Sequence, residues 1–227
     1  MIQLIVFDMA GTTIDEGNVV YQTLQTTLQA AGYQFSLADV LTTAAGKEKR
    51  DAIASLIKQA DGTADESKVD QAFTDFLERL KRAYAKLDVK PCPNADRVLA
   101  FLKVHGIKVA LNTGYNRYTA QHLLHRVHWK QGLQFDLLVT AEDANAPRPA
   151  PNMIQQAQQK LGVEDATHVA KVGDSQIDIE EGKNAGCGLT IGVTTGAHSA
   201  EQLRAANPDY VIDNLEELVN ILGNYSA

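Results

Sequence analysis

A single carboxylate follows the first apolar stretch of the chain, in the segment IVFDMAGTTID (residues 5–15). Apolar residues 4–7 lead up to Asp8, and a glycine and two threonines follow shortly after it. An ionisable group at the end of a buried strand is a candidate nucleophile or metal ligand. The next position on the same side is Ala10, so the sequence offers no second acid there.

Two more carboxylates, Asp174 and Asp178, follow a later apolar stretch. Asp174 ends that predicted strand, and Asp178 can lean over the same point from the start of the next helix. Carboxylates that gather with Asp8 repel one another unless a hard cation neutralises them. Mg²⁺ needs only one or two carboxylates, with water and phosphate oxygens completing its shell. The three acids therefore predict a Mg²⁺ site.

An anion-binding site is predicted beside these acids. Thr113 and Gly114, at a strand-to-helix turn, offer a hydroxyl and backbone N–H groups to an anion. Arg148, in APRPAP, offers a cation whose position the neighbouring prolines restrict. A nucleophilic acid, a metal, a cationic side chain and an anion site together predict phosphoryl transfer.

These residues lie at the ends of strands in a chain that alternates strands with helices. After residues 2–7, the predicted strands are IKVALNTG, FDLLVTAED, HVAKVGDS, LTIGVTTG and YVIDN. Helices are predicted over residues 95–104, 117–128, 152–161, 177–185 and 200–206, with a last one at the end of the chain. This alternation predicts an α/β fold with a doubly wound parallel sheet, whose ligands bind beyond the carboxyl ends of the strands.

Residues 17–87 differ from the rest of the chain because their apolar residues are spaced as in helices. Gly32, Gly46 and Gly62 interrupt the pattern, and no strand is predicted. We therefore predict an all-helical domain over residues 17–87, inserted into an α/β core formed by residues 1–16 and 88–227.

The composition of the chain excludes some classes of binding partner. The chain has 227 residues, 44% of them hydrophobic, and a net charge of −7 from 21 basic and 28 acidic residues. This acidity argues against nucleic acid or anionic membranes as main partners. The two cysteines are far apart in sequence, and no stretch reaches the roughly 18 consecutive apolar residues of a membrane span. We expect a cytoplasmic protein that acts on a small molecule.

Four segments resemble, in order, the four motifs of the haloacid dehalogenase superfamily: DMAGTTID, NTGYNR, PRPAPNM and KVGDSQIDIEEGKNAG. Within it the chain is most similar to the phosphonatase (phosphonoacetaldehyde hydrolase) family, which shares Asp-x-Ala-Gly-Thr, Thr-Gly-Tyr, Arg-Pro-x-Pro and Lys-Val-Gly-Asp. The resemblance implies a hydrolase with a C1-type cap at the insertion, Mg²⁺ as cofactor and a homodimer formed through the caps.

The resemblance also implies roles for the acids. Asp8 would be the nucleophile and a metal ligand. The backbone carbonyl of Ala10 and the carboxylate of Asp174 would bind the same Mg²⁺. Asp178 would either support these ligands or bind the metal more weakly.

For the phosphoryl group, the resemblance implies that Thr113 and Gly114 hold it and that Arg148 stands where most relatives have a lysine. Relatives that cleave phosphate esters carry an acid two residues after the nucleophile, which protonates the leaving alkoxide. Ala10 cannot do so. A phosphonate releases a carbanion instead, which needs an electron sink.

In phosphonatase a lysine of the cap supplies that sink by forming a Schiff base with the substrate aldehyde. The segment TAAGKEKRDAI aligns with the loop that carries it, which places Lys49 at the Schiff-base position and Gly46 among the substrate-binding residues. The family has a Met before this glycine and a proton-shuttling His three residues after the lysine, where this chain has Ala45 and Ala52.

Two alternatives concern the functional amine. Lys49 is surrounded by Lys47, Glu48 and Arg50, so a solvated position at a helix start is the competing interpretation. Lys171, inside a predicted strand, is a second candidate, because its amine could lie near the site while its stem packs in the core.

Three functions are therefore considered. The first is cleavage of the C–P bond of phosphonoacetaldehyde or a close analogue, with Lys49 as the imine-forming amine. The second is a phosphomonoesterase acting on another small organophosphate. The third, a non-catalytic phospho-acceptor like a response-regulator receiver, is disfavoured, because receivers are shorter, lack an inserted cap and carry the acceptor on a middle strand.

Overall fold

The computed structural model describes residues 1–224, and it forms eight strands in that part of the chain. They are β1 (Leu4–Asp8), β2 (Ile14–Asp15), β3 (Lys90–Pro91), β4 (Lys108–Thr113), β5 (Leu137–Thr140), β6 (Val169–Gly173), β7 (Leu189–Val193) and β8 (Tyr210–Ile212). Six of them form one parallel sheet in the order β5-β4-β1-β6-β7-β8. The predicted α/β fold is confirmed.

Helices cover both faces of this sheet, because its central strands are apolar on both sides. Ile5 and Phe7 of β1 pack into one hydrophobic cluster, and Leu4 and Val6 pack into another on the opposite face. The helices of the α/β part are α5 (Ala95–Val104), α6 (Arg117–Arg126), α7 (Asn152–Leu161), α8 (Gln176–Asn184), α9 (Ala200–Ala205) and α10 (Glu217–Asn224). Helices α5 and α6 contribute to the Ile5 cluster, and α7 to the Leu4 cluster.

Four helices lie between β2 and β3: α1 (Val19–Ala30), α2 (Leu37–Ala44), α3 (Lys49–Asp61) and α4 (Glu66–Tyr84). Local signals fix their ends. The Ser36 hydroxyl accepts the Asp39 N–H at the start of α2, and Glu48 accepts the N–H groups of Arg50 and Asp51 at the start of α3. Helix α4 packs against α1 and α3. We call residues 17–87 the helical insertion; its treatment as a separate domain stays a prediction.

The two segments that connect the helical insertion to the rest of the chain, β2 and β3, form a strand pair with each other. Ile14 lies opposite Pro91 and Asp15 opposite Lys90 in an antiparallel pair of two residues per strand. This pair was not predicted, because two residues show no periodicity.

The other differences from the sequence predictions are small. Helix α6 ends at Arg126, two residues before the predicted end, and His128 has a positive φ of 59° that stops the helix. Within residues 1–224, none of the helices has the length and apolar character needed to cross a bilayer.

Candidate active site

The register of the sheet brings the predicted strand-end residues together. Asp8 pairs with Asn112 of β4, and its neighbour Phe7 pairs with Val172 of β6. Thr113 ends β4, and Asp174 follows the last residue of β6. Three adjacent strands thus deliver their polar residues to one edge of the sheet.

A small cavity lies at this edge of the sheet. Its lining contains every predicted site residue except Asp178, together with two tyrosines that the sequence analysis had not assigned. The lining residues are Asp8, Ala10, Tyr21, Gly46, Lys49, Thr113, Gly114, Tyr115, Arg148 and Asp174. We call this cavity the cleft.

Asp8 is buried and bound by a cation. The Nη1 of Arg148 donates to its Oδ1 at 2.7 Å and to the Oδ1 of Asp178, also at 2.7 Å. Burial, reinforced by the charge of Asp178 and opposed by that of Arg148, raises the pKa of Asp8 to about 6. Arg148 therefore holds the candidate nucleophile in place and keeps its carboxylate form accessible near neutral pH.

Asp174 has polar partners but no bonded cation in the described residues. Its Oδ1 accepts from the Thr12 hydroxyl at 3.2 Å, and its Oδ2 accepts from the Ala197 N–H at 2.6 Å. Burial and then the charges of Asp8 and Asp178 raise the pKa of Asp174 to about 8. A positive charge bound beside Asp174 would lower this pKa and stabilise the carboxylate form.

The donor set fits a hard divalent cation. No group of three or more His, Cys, Asp or Glu side chains in residues 1–224 is arranged to hold a metal. Asp8 and Asp174 nevertheless line the cleft with two carboxylates, and Ala10, which also lines it, has a backbone oxygen as a neutral donor. Mg²⁺ accepts such a set, because it keeps several water or phosphate ligands of its own.

Asp178 lies behind Asp8 rather than in the cleft lining. Its Oδ1 accepts from Arg148 and lies 3.0 Å from the Lys171 ammonium, and its Oδ2 accepts from the Ser175 hydroxyl at 2.5 Å. Both oxygens are therefore engaged. These contacts favour the supporting role implied for Asp178, and direct metal binding by this residue stays a prediction.

Lys171 is 0% exposed and fully engaged beneath the site. Its nitrogen donates to Asn112 Oδ1 at 2.5 Å and lies 3.0 Å from carboxylate oxygens of Asp178 and Glu181. It does not line the cleft. Lys171 therefore orients Asp178 and is a poor candidate for the functional amine.

Lys49, at the start of α3, is only 5% exposed. Its Nζ donates to the Lys47 carbonyl at 2.8 Å and lies 5.2 Å and 5.4 Å from the ring centroids of Tyr21 and Tyr115. Burial, followed by the charge of Arg148, lowers the pKa of Lys49 to about 8. The solvated-cation interpretation is therefore wrong for Lys49, whereas Arg50 does form exposed ion pairs with Glu66 and Asp70.

Two glycines allow the Lys49 loop to reach the core. Gly46 has a φ of +75°, and a Cβ there would lie 2.5 Å from the Ser175 hydroxyl oxygen and 2.9 Å from Ile177 Cβ. A Cβ on Gly114 would lie 3.0 Å from the Lys47 carbonyl. Side chains at these positions would hold the insertion away from the strand ends.

The sequence did not predict the roles of Tyr21 and Tyr115, which line the cleft, or of Glu16, the acid bonded to Tyr115. Tyr115 follows the Thr113–Gly114 turn, and its N–H donates to the Thr113 hydroxyl at 3.2 Å. Glu16 is buried and accepts hydrogen bonds from the hydroxyls of Tyr84 and Tyr115. The only signal was proximity to the motifs, because Glu16 follows DMAGTTID directly.

Known proteins resemble this chain along most of its length. A model of the haloacid dehalogenase-like hydrolases matches residues 2–186. A phosphonoacetaldehyde hydrolase from Latilactobacillus sakei is 32% identical over the whole chain and 97% of its own length. A phosphoglycolate phosphatase from Neisseria meningitidis is 29% identical over 96% of this chain and 92% of its own.

Solved structures share the fold. A phosphonoacetaldehyde hydrolase-like protein from Oleispira antarctica superposes with a TM-score of 0.84 at 24% identity, covering 98% of this chain and 92% of that one. A hydrolase from Pseudomonas syringae gives a TM-score of 0.86 at 18% identity, with 98% of both chains covered.

Proposed function

The chain belongs to the haloacid dehalogenase-like hydrolases, as a phosphonatase-like member, and from that premise we propose that it cleaves the C–P bond of phosphonoacetaldehyde or a close analogue. In this proposal Asp8 takes the phosphoryl group and Lys49 forms an imine with the aldehyde. The observation that carries it is the position of Lys49, buried between two tyrosine rings in the cleft that contains Asp8.

The first step is addition of the neutral Lys49 amine to the aldehyde carbon to give a carbinolamine. Its hydroxyl then takes up one proton from solvent and leaves as water, which gives an iminium ion. A pKa near 8 leaves a usable fraction of neutral amine at neutral pH, which an ordinary lysine does not have. Asp8 then attacks phosphorus, and the electrons of the C–P bond move into the iminium to give an enamine.

The second half of the reaction regenerates the protein. The enamine takes up a proton and is hydrolysed to acetaldehyde and free Lys49, and water cleaves the aspartyl-phosphate on Asp8 to release phosphate. Arg148, Thr113 and Gly114 bind the phosphoryl oxygens through these steps. No group at position 10 needs to donate a proton, which agrees with Ala10.

We propose Mg²⁺ as the cofactor, held by Asp8, Asp174 and the Ala10 carbonyl. When bound, the ion neutralises these acids and the anionic phosphoryl oxygens. We also propose, from the family resemblance, a cytoplasmic homodimer.

The decisive experiment is borohydride reduction in the presence of phosphonoacetaldehyde, followed by peptide mass analysis. The expected result is an adduct on Lys49, with loss of turnover in Lys49→Ala. Lys47→Ala is the matched control, because Lys47 lies in the same loop but bonds Ser55 at 3.2 Å outside the cleft lining. Full C–P cleavage by Lys49→Ala would overturn the imine role.

A second candidate is a phosphomonoesterase acting on a small organophosphate, which the Neisseria relative favours. Here an acid at position 10 would protonate the leaving alkoxide. If Ala10→Asp raises phosphate-ester hydrolysis and Lys49→Ala leaves it unchanged, this candidate is preferred. Continued turnover by the wild type, beyond one phosphoryl group per chain, rules out a non-catalytic phospho-acceptor.

A further inference from the structure

Tyr21 lines the cleft, but the steps above give its hydroxyl no role. It lies in the first turn of α1, in the helical insertion, and is 7% exposed. Its hydroxyl oxygen accepts a long hydrogen bond from the Gly46 N–H at 3.4 Å. Within residues 1–224, no acceptor receives the proton of this hydroxyl. A buried donor without an acceptor is costly, so a ligand in the cleft is the partner it lacks.

Two other residues of the helical insertion line the cleft, and both are already committed. The Gly46 N–H donates to the Tyr21 oxygen, and the Lys49 nitrogen is the amine of the proposed imine. That nitrogen lies 5.2 Å from the centroid of the Tyr21 ring. The Tyr21 hydroxyl is therefore the uncommitted donor that the insertion brings to the reacting amine.

The core side of the cleft leaves the aldehyde oxygen of the substrate without a donor. Arg148, Thr113 and Gly114 are the proposed contacts of the phosphoryl group. The Tyr115 hydroxyl donates at 3.4 Å to Glu16, which does not line the cleft. Yet the aldehyde oxygen becomes negative when an amine adds to its carbon, and a hydrogen-bond donor aimed at it then lowers the barrier.

We propose that the Tyr21 hydroxyl binds the carbonyl oxygen of the substrate and thereby selects phosphonates that carry a carbonyl group. When the Lys49 nitrogen bonds to the carbonyl carbon, the π electrons of the C=O bond move onto oxygen. The Tyr21 O–H donates a hydrogen bond to the charge that develops there. The nitrogen then loses one proton to solvent and the oxygen takes one up from solvent, which gives the carbinolamine. Tyr21 keeps its own proton throughout.

The surroundings of Tyr21 suit a donor that does not lose its proton. Burial, followed by the charges of Asp174 and Asp8, raises the pKa of Tyr21 well above its ordinary range. The hydroxyl is therefore protonated at every pH at which the neutral amine of Lys49 forms near its pKa of about 8. The Gly46 N–H polarises the hydroxyl in the sense that strengthens its own donation.

This inference rests on the proposed imine role of Lys49 and identifies the part of the substrate that Tyr21 recognises. A buried donor built to bind a substrate oxygen disfavours molecules that lack this oxygen, because the donor is then left unpaired. p-Nitrophenyl phosphate has no carbonyl group, so the Tyr21 hydroxyl should contribute little to its hydrolysis.

The test is Tyr21→Phe, which keeps the ring beside Lys49 and removes only the hydroxyl. The second-order rate constant of borohydride trapping with phosphonoacetaldehyde is measured as a function of pH. We expect its plateau above about pH 8 to fall about tenfold or more, because the donor to the developing oxyanion is lost. The midpoint of the profile should stay near that of the wild type, because the ring and the charges around the amine remain. An unchanged plateau, or a shifted midpoint that alone accounts for the loss, overturns the proposal.

Hydrolysis of p-nitrophenyl phosphate separates this role from a structural one. The loss of ester hydrolysis in Tyr21→Phe should be much smaller than the loss of trapping. An equal loss would show that the hydroxyl only supports the Gly46 loop, and it would overturn the proposal. Tyr33→Phe is the matched control, because Tyr33 also belongs to the insertion but donates to Asp61 at 2.8 Å outside the cleft lining. Both of its activities should match those of the wild type.

The same trapping experiment distinguishes the two levels of the argument. If the wild type forms no adduct on Lys49, the proposed function fails, and the role of Tyr21 fails with it. If the wild type forms the adduct but Tyr21→Phe forms it equally fast, only the carbonyl-binding role of Tyr21 is refuted.

Discussion

The proposed reaction requires the insertion to lie closed on the core, with Lys49 in the cleft beside Asp8; Gly46 lies at that contact, and Gly46→Ala tests it. The new Cβ would lie 2.5 Å from the Ser175 hydroxyl oxygen and 2.9 Å from Ile177 Cβ, both in the core. Overpacking of this kind costs about 1–3 kcal/mol. This cost applies only when the insertion touches the core, so kcat/KM should fall about 5- to 150-fold at roughly 1.4 kcal/mol per tenfold.

A second cost has a different effect. The left-handed φ of +75° at Gly46 disfavours alanine by about 1 kcal/mol whether the insertion is closed or open. It should therefore lower the melting temperature without adding to the loss of kcat/KM. Gly32→Ala isolates this term, because Gly32 has a φ of +93° and its Cβ would meet nothing within 4 Å.

The assay is phosphate release from phosphonoacetaldehyde and from p-nitrophenyl phosphate, which makes the result independent of the substrate class, together with thermal unfolding. We expect both variants to melt earlier and only Gly46→Ala to lose kcat/KM. A Gly46→Ala protein with kcat/KM within twofold of the wild type, or an equal loss in Gly32→Ala, would refute the reasoning.

Three further outcomes are expected. Arg148→Met leaves Asp8 and Asp178 without their shared cation, so the free energy of unfolding should fall by about 3 kcal/mol and phosphate release should be abolished. The control Arg50→Met breaks only exposed ion pairs and should leave the melting temperature unchanged. Trapping of the Lys49 imine should rise about tenfold per pH unit below about 8 and level off above it, because the neutral amine is the nucleophile; a flat profile from pH 6 to 9 would contradict this. EDTA should stop phosphate release and Mg²⁺ restore it, while the Lys49 adduct still forms without metal; retained turnover in EDTA would exclude the proposed cofactor role.

The site residues at the strand ends could be predicted from the sequence, because a parallel sheet brings the carboxyl ends of its strands to one edge. Once β1, β4 and β6 are recognised as apolar strands, their carboxyl ends meet at one edge, and Asp8, Thr113 and Asp174 follow. Arg148 lies in a loop without regular structure, so it was predicted from its flanking prolines and from the match to the haloacid dehalogenase motifs.

The burial of Lys49 could not be predicted in the same way. Its neighbours in sequence are charged, so local composition favours a solvated helix start. Its burial depends on Tyr21, from another helix of the insertion, and on Tyr115, which follows β4 and contacts Lys49 only because the insertion packs on the core. Glu16 escaped notice for the same reason, because its hydroxyl partners come from α4 and from the turn after β4.

The buried charged side chains are concentrated around the cleft, and acids outnumber bases among them. Among the side chains that the structure describes, the charged residues that are buried are five acids and three bases: Asp8, Glu16, Asp174, Asp178, Glu181, Lys49, Arg148 and Lys171. Taken with their ordinary charges, they leave an excess of two negative charges, which matches the charge of one proposed Mg²⁺ ion. Binding that ion would make the interior electroneutral, so its affinity would also be a contribution to folding. The cofactor would then act as a structural counter-ion as well as a chemical one.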